Sequence, residues 1–489
     1  MPGLALAVVL GFSLLLVYST HREYPLKPEH PLDVDDHLPL PELAQTSTVF
    51  SLTALFGAYF GVAVTLGLPA LLGLVSGTVL GLIIVSFWIQ STLTSIKPQG
   101  GGRFEDFLFE ILKGTRSNTR SFALLVSGVQ CLYAISELLI LRELAKAALG
   151  LASEQATLMA IAIAIIGYFC VVLGGYVTLF RTDIFQLILV ILMAIVFGVV
   201  LLANHSAVDW HSKLLPKPGF WELSLPGPKV LLYVCHFLIA LVMGMGLLLA
   251  SPDTWKRVFQ VNKKRQTSRS RLVTFVGMGI LPYVVLLPFA ITLNPKIDCG
   301  HKSFVLPGGL SNDWLFMFIA MGLAASFLSS FNSALLGSVH VGLIMKRHHS
   351  IEPSEESRFY WLMVTVLIAV SVVFSVALYL LNSPWPLGLS NPWLLGSLLM
   401  GAYAIIAGIQ LGTRGKISRL RKDHLLWIVA IGILGWCLSL YFFRKYAGLS
   451  RNPSLCSVNS VPIGVAVCAA ITLMSALFAL GGPKHVRRS

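Results

Sequence analysis

The sequence predicts an all-α integral membrane protein of about thirteen transmembrane helices, and three observations carry that reading. Of 489 residues, 56% are hydrophobic and 12% are charged, about half the charged share of an average soluble domain. Apolar runs near the length needed to cross a bilayer, about 20 residues, recur along the chain. The basic residues are concentrated in alternate connections between those runs, as topology in a membrane requires.

The runs fall near 2–19, 47–66, 69–89, 121–148, 155–175, 183–203, 228–250, 273–293, 314–344, 360–381, 393–412, 424–443 and 461–480. The first lacks a basic flank and a small-residue cleavage site, so it reads as a retained helix and not a signal peptide. With the amino terminus outside, the inward segments are about 20–46, 90–120, 176–182, 251–272, 345–359, 413–423 and 481–489. They hold 26 of the 36 Lys and Arg residues. The net charge of +14 is thereby explained as membrane orientation, with the carboxyl terminus cytoplasmic and anionic lipid as the partner of the basic run 256–271. No nucleic-acid partner is expected. His348 and His349 lack carboxylate or Cys company and read as surface residues, so no metal other than a monovalent cation is expected. Seven cysteines show no paired CxxC spacing. Cys299 and Cys456 fall in outward loops and could pair or stay free.

Polar residues inside the runs carry the candidate chemistry. In "AASFLSSFNSALL" (324–336), Ser326, Ser329, Ser330 and Ser333 share one helical face. Small residues and serines there can simply let helices approach. They can also give a hard cation such as Na⁺ the oxygens that replace its hydration shell. In the second run, Gly57, Gly61 and Gly67 precede Pro69, and in the seventh, Gly244 and Gly246 precede Pro252. These glycines serve either close packing or unwound segments whose carbonyls face a cavity, and interruptions in corresponding halves point to a transporter site.

Asp183 follows Thr182 at the expected start of a helix. It reads either as an N-terminal cap or as an ion-exit group at the cytoplasmic mouth. Glu137 lies deeper, where a carboxylate is costly; it is a functional candidate unless Arg142 or Lys146 neutralises it. Glu143 and Lys146 read as a structural pair. No G-x-S-x-G, HExxH, Walker A or GxGxxG signature is present, so an enzyme is not expected.

The motif "LGGYVTLFRTDIFQ" (173–186) resembles the Gly-Gly, Trp-Thr-Asp, Gln signature of the sodium/solute symporter family, with Arg181 in the tryptophan place. "FEDFLFEILKGTRSNTRSF" (104–122) is similar to the motif before that family's third core helix, and 324–336 resembles its serine stretch. The resemblance covers about 46–412. It implies a leucine-transporter-type fold with a 5+5 inverted-repeat core in a single transmembrane domain, 1–489. An extra helix and cytoplasmic connector would occupy 1–46 and the first repeat 47–203. The second repeat with its preceding loop would occupy 204–412, leaving two helices and a basic tail over 413–489.

The resemblance also implies sodium binding by Gly57, Phe60, Ser326, Ser329 and Ser330, and ion exit at Asp183. The expected substrate cavity gathers Glu137, Gly61, Gly244 and Leu247. Glu137 stands where many members have Gln, and Leu247, Ser251 and Pro252 replace polar or aromatic substrate contacts. The expected function is sodium-coupled uptake of a small organic solute by alternating access in an inner or plasma membrane. Na⁺ is the coupling ion, with no organic cofactor. A proton-coupled carrier using Glu137 and a transporter-fold sensor are the alternatives.

Overall fold

The computed structural model describes residues 2–23, 68–95, 149–204, 294–298, 301–305 and 313–347. It adds helical positions scattered between 127 and 146, 234 and 254, 277 and 289, and at 365, 366 and 369. The long helices are α1 (Pro2–Glu23), α2 (Leu68–Ser95), α3 (Ser153–Ala203) and α4 (Asp313–Arg347). Four described stretches are long and apolar enough to cross a membrane: Gly3–Glu23, Ser153–Leu173, Val177–Ala203 and Trp314–Ser338. Their outer faces leave Leu4, Leu15, Leu158, Ile195, Val199 and Leu202 exposed, an apolar belt that only lipid would cover without cost.

The two arms of α3 meet at Gly175, where φ is 52° and ψ is −147°, a combination open in practice only to glycine. This corrects one sequence expectation. Residues 176–182 were expected as a connecting loop with Asp183 at the cap, but the second arm is already helical from Val177. Thr182 turns its hydroxyl inward along its own helix, to the carbonyls of Thr178 at 3.0 Å and Leu179 at 3.1 Å. The Arg-Thr-Asp sequence at 181–183 can thus remain helical because its side chains find partners locally or on neighbouring helices. Asp183 therefore sits inside a helix, and the capping account does not apply.

The elbow is held by α1. The Leu173 carbonyl, at the helix break, accepts a hydrogen bond from His21 Nδ1 at 2.9 Å, and Arg181 Nη2 pairs with Glu23 Oε2 at 2.6 Å. Farther along, the Phe12 and Phe185 rings lie 4.3 Å apart between centroids. These contacts set α1 antiparallel to the second arm of α3. Helix α4 seats against both arms: Gly322 backs onto Met193 and Gly167 onto Phe331 and Asn332. Phe197 and Phe289 meet edge to face at 5.1 Å, joining α3 to the helical positions of 277–289.

Helix α2 makes a different kind of contact. Gly73, Gly77 and Gly81 recur every fourth residue and bring its backbone against the carbonyls of Phe237, Leu241 and Met245, while Gly244 returns the contact at Leu74 and Thr78. The matching increments make α2 parallel to 237–245. In contrast, α4 runs antiparallel to the second arm of α3, and to 127–138 through Ser330 with Glu137 and Ser338 with Ser127. A two-stranded antiparallel hairpin, β1 (Asn294–Asp298) with β2 (His301–Val305), precedes α4 and pairs Asn294 with Val305 and Asp298 with His301.

Candidate cation site

The serine face of α4 is buried against the second arm of α3 and the helical segment around Glu137. Ser326, Ser329, Asp183 and Glu137 are all 0–1% exposed. Each serine uses its hydroxyl differently. Ser326 Oγ donates to the Gly322 carbonyl at 2.7 Å, the usual recourse of a serine inside an apolar helix. Ser329 Oγ instead donates across the interface to Asp183 Oδ1 at 3.1 Å. Ser330 Oγ lies 2.9 Å from Glu137 Oε2 and 3.1 Å from the Ser326 carbonyl. Ser333, the fourth member of the spacing, is half-buried.

Two carboxylates from separate elements thus converge on consecutive serines about two thirds of the way along the Trp314–Ser338 span. Hydrogen bonds to a charged acceptor contribute about 1.5–3 kcal/mol each, less than the cost of burying the carboxylate itself. A monovalent cation among these oxygens would offset part of that cost. The donor set of carboxylate, hydroxyl and backbone carbonyl oxygens suits a hard ion such as Na⁺.

Several neighbours extend the polar patch. Asn332, one turn beyond Ser329, is fully buried, and neither of its amide atoms has a hydrogen-bonding oxygen or nitrogen among the described residues; Gln186, one turn beyond Asp183, is in the same state. The Cys170 thiol lies against Asn332 and within electrostatic range of Asp183. The sequence reading passed over Asn332 and Gln186 as site residues. Their three-residue offsets from Ser329 and Asp183 are the signal that could have found them. On the other flank, Ser127 Oγ donates to the Ser338 carbonyl at 3.2 Å.

The structure brings Asp183, Glu137, Ser326, Ser329 and Ser330 together. Gly244 packs against Leu74 and Thr78 of α2. Gly57, Phe60, Gly61 and Leu247 lie outside the described residues, as do Glu143, Cys299 and Cys456. Arg142 donates to Ser153 Oγ at 2.8 Å and Thr157 Oγ1 at 3.1 Å, tying the Glu137 segment to the start of α3.

No protein-family model and no curated protein sequence matches the chain. Among solved structures, it is similar to the substrate-bound outward-open state of a Na⁺-coupled sialic acid symporter. The TM-score is 0.53 at 15% sequence identity, covering 98% of this chain and 97% of that one. A nucleobase-cation-symport-1 family transporter in a closed conformation gives a TM-score of 0.45 at 12% identity, covering 90% and 92%. A mutant of the Eremococcus coleocola manganese transporter gives 0.43 at 12% identity, covering 92% and 97%. At such identities the likeness is one of fold, and it rests on the first of the three. The described residues include four stretches long and apolar enough to cross a membrane, and the chain shares its overall fold with the Na⁺-coupled sialic acid symporter structure.

Proposed function

We propose that this protein is a secondary active transporter that couples Na⁺ entry to the uptake of a small organic solute by alternating access. The observation that carries the proposal is the buried serine face of α4 engaged by Asp183, with Ser329 Oγ 3.1 Å from Asp183 Oδ1. The fold shared with a Na⁺-coupled symporter supports it. In this reading Ser326, Ser329 and Ser330 bind Na⁺ together with Gly57 and Phe60 of the second apolar run. Asp183 joins the same oxygen set and passes the ion toward the cytoplasm. The solute binds near Glu137, Gly61, Gly244 and Leu247.

The protein would reside in the cell membrane, with its amino terminus outside and carboxyl terminus cytoplasmic. One charge moving through 100 mV supplies about 2.3 kcal/mol, roughly a fifty-fold accumulation before any Na⁺ gradient is counted. The Ser330–Glu137 contact at 2.9 Å favours a second reading, a proton-coupled carrier in which Glu137 is the proton site. Proteoliposome flux separates the two: it follows Na⁺ in the first and pH alone in the second. Combined Ser329→Ala and Ser330→Ala substitution is expected to abolish Na⁺-dependent flux and Na⁺-dependent thermal stabilisation. If Na⁺ dependence is unchanged, the assigned ion site is wrong.

A further inference from the structure

We propose that Glu137 is a positioning residue for the cation: by accepting the Ser330 hydroxyl proton it turns the Ser330 oxygen and the Ser326 carbonyl toward the ion. The inference rests on the sodium reading above and adds a role that the serine spacing does not contain.

A hydroxyl has one proton to give and two lone pairs to offer. Buried serines and threonines in this protein routinely spend that proton on the carbonyl four residues earlier. Ser326 does so at 2.7 Å, Ser338 at 3.1 Å, Ser86 at 2.7 Å and Thr78 at 2.8 Å. Ser330 has the same option, the Ser326 carbonyl at 3.1 Å, and a competing one in Glu137 Oε2 at 2.9 Å. An ionised carboxylate is the stronger acceptor, with bonds roughly twice as strong as those to a neutral carbonyl.

The choice matters for a cation. If the proton goes to the Ser326 carbonyl, it competes there with a cation, and an oxygen that could serve as a ligand is weakened. If it goes to Glu137, the Ser326 carbonyl is released and the lone pairs of Ser330 point away from the carboxylate. Two ligands are prepared by one hydrogen bond, made by a residue on a different element 193 positions away in sequence.

The test is a double-mutant cycle in the purified full chain, read as the Na⁺ concentration giving half-maximal thermal stabilisation at constant ionic strength. Glu137→Leu removes the acceptor, and Glu137→Gln keeps a neutral acceptor of the same shape. With Ser330 present, half-saturation is expected to rise about tenfold for Glu137→Leu and about threefold for Glu137→Gln, while the melting temperature without Na⁺ monitors folding. In the Ser330→Ala background both changes are expected to fall below about twofold, because the hydroxyl through which Glu137 acts is gone. Equal shifts in the two backgrounds would assign a long-range charge effect and overturn the proposal, as would equal effects of Gln and Leu. If Ser330→Ala alone erases the Na⁺ response, the ranking of Gln against Leu in the Ser330 background decides the matter. A wild-type chain whose melting temperature ignores Na⁺ overturns the sodium reading and this inference with it, whereas a normal wild-type response with unshifted Glu137 variants overturns the inference alone.

Discussion

Two helix contacts in this molecule solve the problem of packing inside a membrane in opposite ways. Between α2 and the facing positions from 237 to 248, three glycines at intervals of four and a fourth from the facing segment bring backbone against backbone along much of the seam. Between α3 and α4 the seam is crowded with groups that lipid would reject: Asp183, Ser329, Asn332 and Gln186, each fully buried. Lipid tails are as apolar as leucine, so hydrophobicity cannot hold helices together there and close van der Waals contact must do so. The glycine seam follows that logic directly. The α3–α4 seam departs from it, retaining a buried carboxylate bonded to Ser329 and, on Asn332 and Gln186, amide groups without oxygen or nitrogen partners among the described residues. Stability alone gives little reason to keep such groups, and the proposed ion between the two helices would give one.

The largest expected effect breaks the glycine side of this contrast. A Cβ placed on Gly77 would run into the backbone carbonyl of Leu241, which cannot rotate out of the way as a side-chain tip could. Gly77→Ala is expected to cost about 3 kcal/mol or to force α2 away from its neighbour. Loss of a single cooperative melt, or a melting temperature well below wild type with and without Na⁺, would be the reading. An unchanged melt would mean that the seam is looser than the contact at Gly77 indicates.

The next effect breaks the polar side, and its signature is the reverse. Asp183→Asn keeps an oxygen for the Ser329 hydroxyl and removes the buried charge. Unfolding without Na⁺ is expected to be unchanged or slightly harder, since neutralising a buried charge is often neutral or stabilising. The Na⁺ concentration for half-maximal stabilisation is expected to rise by about tenfold or more, a loss near 1.4 kcal/mol. A substitution that lowers the melting temperature while leaving Na⁺ dependence intact would make the Asp183–Ser329 bond a structural one and erase the contrast.

The two seams also differ in how far the sequence revealed them. Runs at 2–19, 69–89 and 314–344 anticipate α1, α2 and α4 because apolar length is a property of one segment at a time. The ends are less legible: α2 continues to Ser95 through a polar Ser-Thr-Leu-Thr-Ser sequence that hydropathy alone does not assign to a helix. The same blindness turned 176–182 into a loop, where local hydroxyl-to-carbonyl bonds keep the chain helical. The serine face could be read from spacing, since 326, 329, 330 and 333 repeat with the helix. Its partners could not. Asp183 is 146 residues from Ser329 and Glu137 is 193 from Ser330, and only the register between helices decides that they meet.

The smallest expected effect sharpens the comparison at the elbow joining the arms of α3, where a surface interaction sits beside the buried ones. Arg181 binds Glu23 at 2.6 Å, with their side chains 29% and 53% exposed, and its other nitrogen reaches Thr20 Oγ1 at 3.4 Å. It follows the Gly175 break in the arm that carries Asp183. A partly exposed pair of this kind contributes about 0.2–1 kcal/mol, so Arg181→Gln is expected to lower the melting temperature by no more than a few degrees. The α1 contact persists without it, because Phe12 on Phe185 and His21 on the Leu173 carbonyl remain. Glu23→Gln should match Arg181→Gln, the double variant should be no worse than either alone, and added salt should erase the difference from wild type. A several-fold change in Na⁺ half-saturation from Arg181→Gln would instead mean that the exposed pair sets the position of Asp183, and that the boundary between packing and ion binding lies farther along α3 than the buried residues indicate.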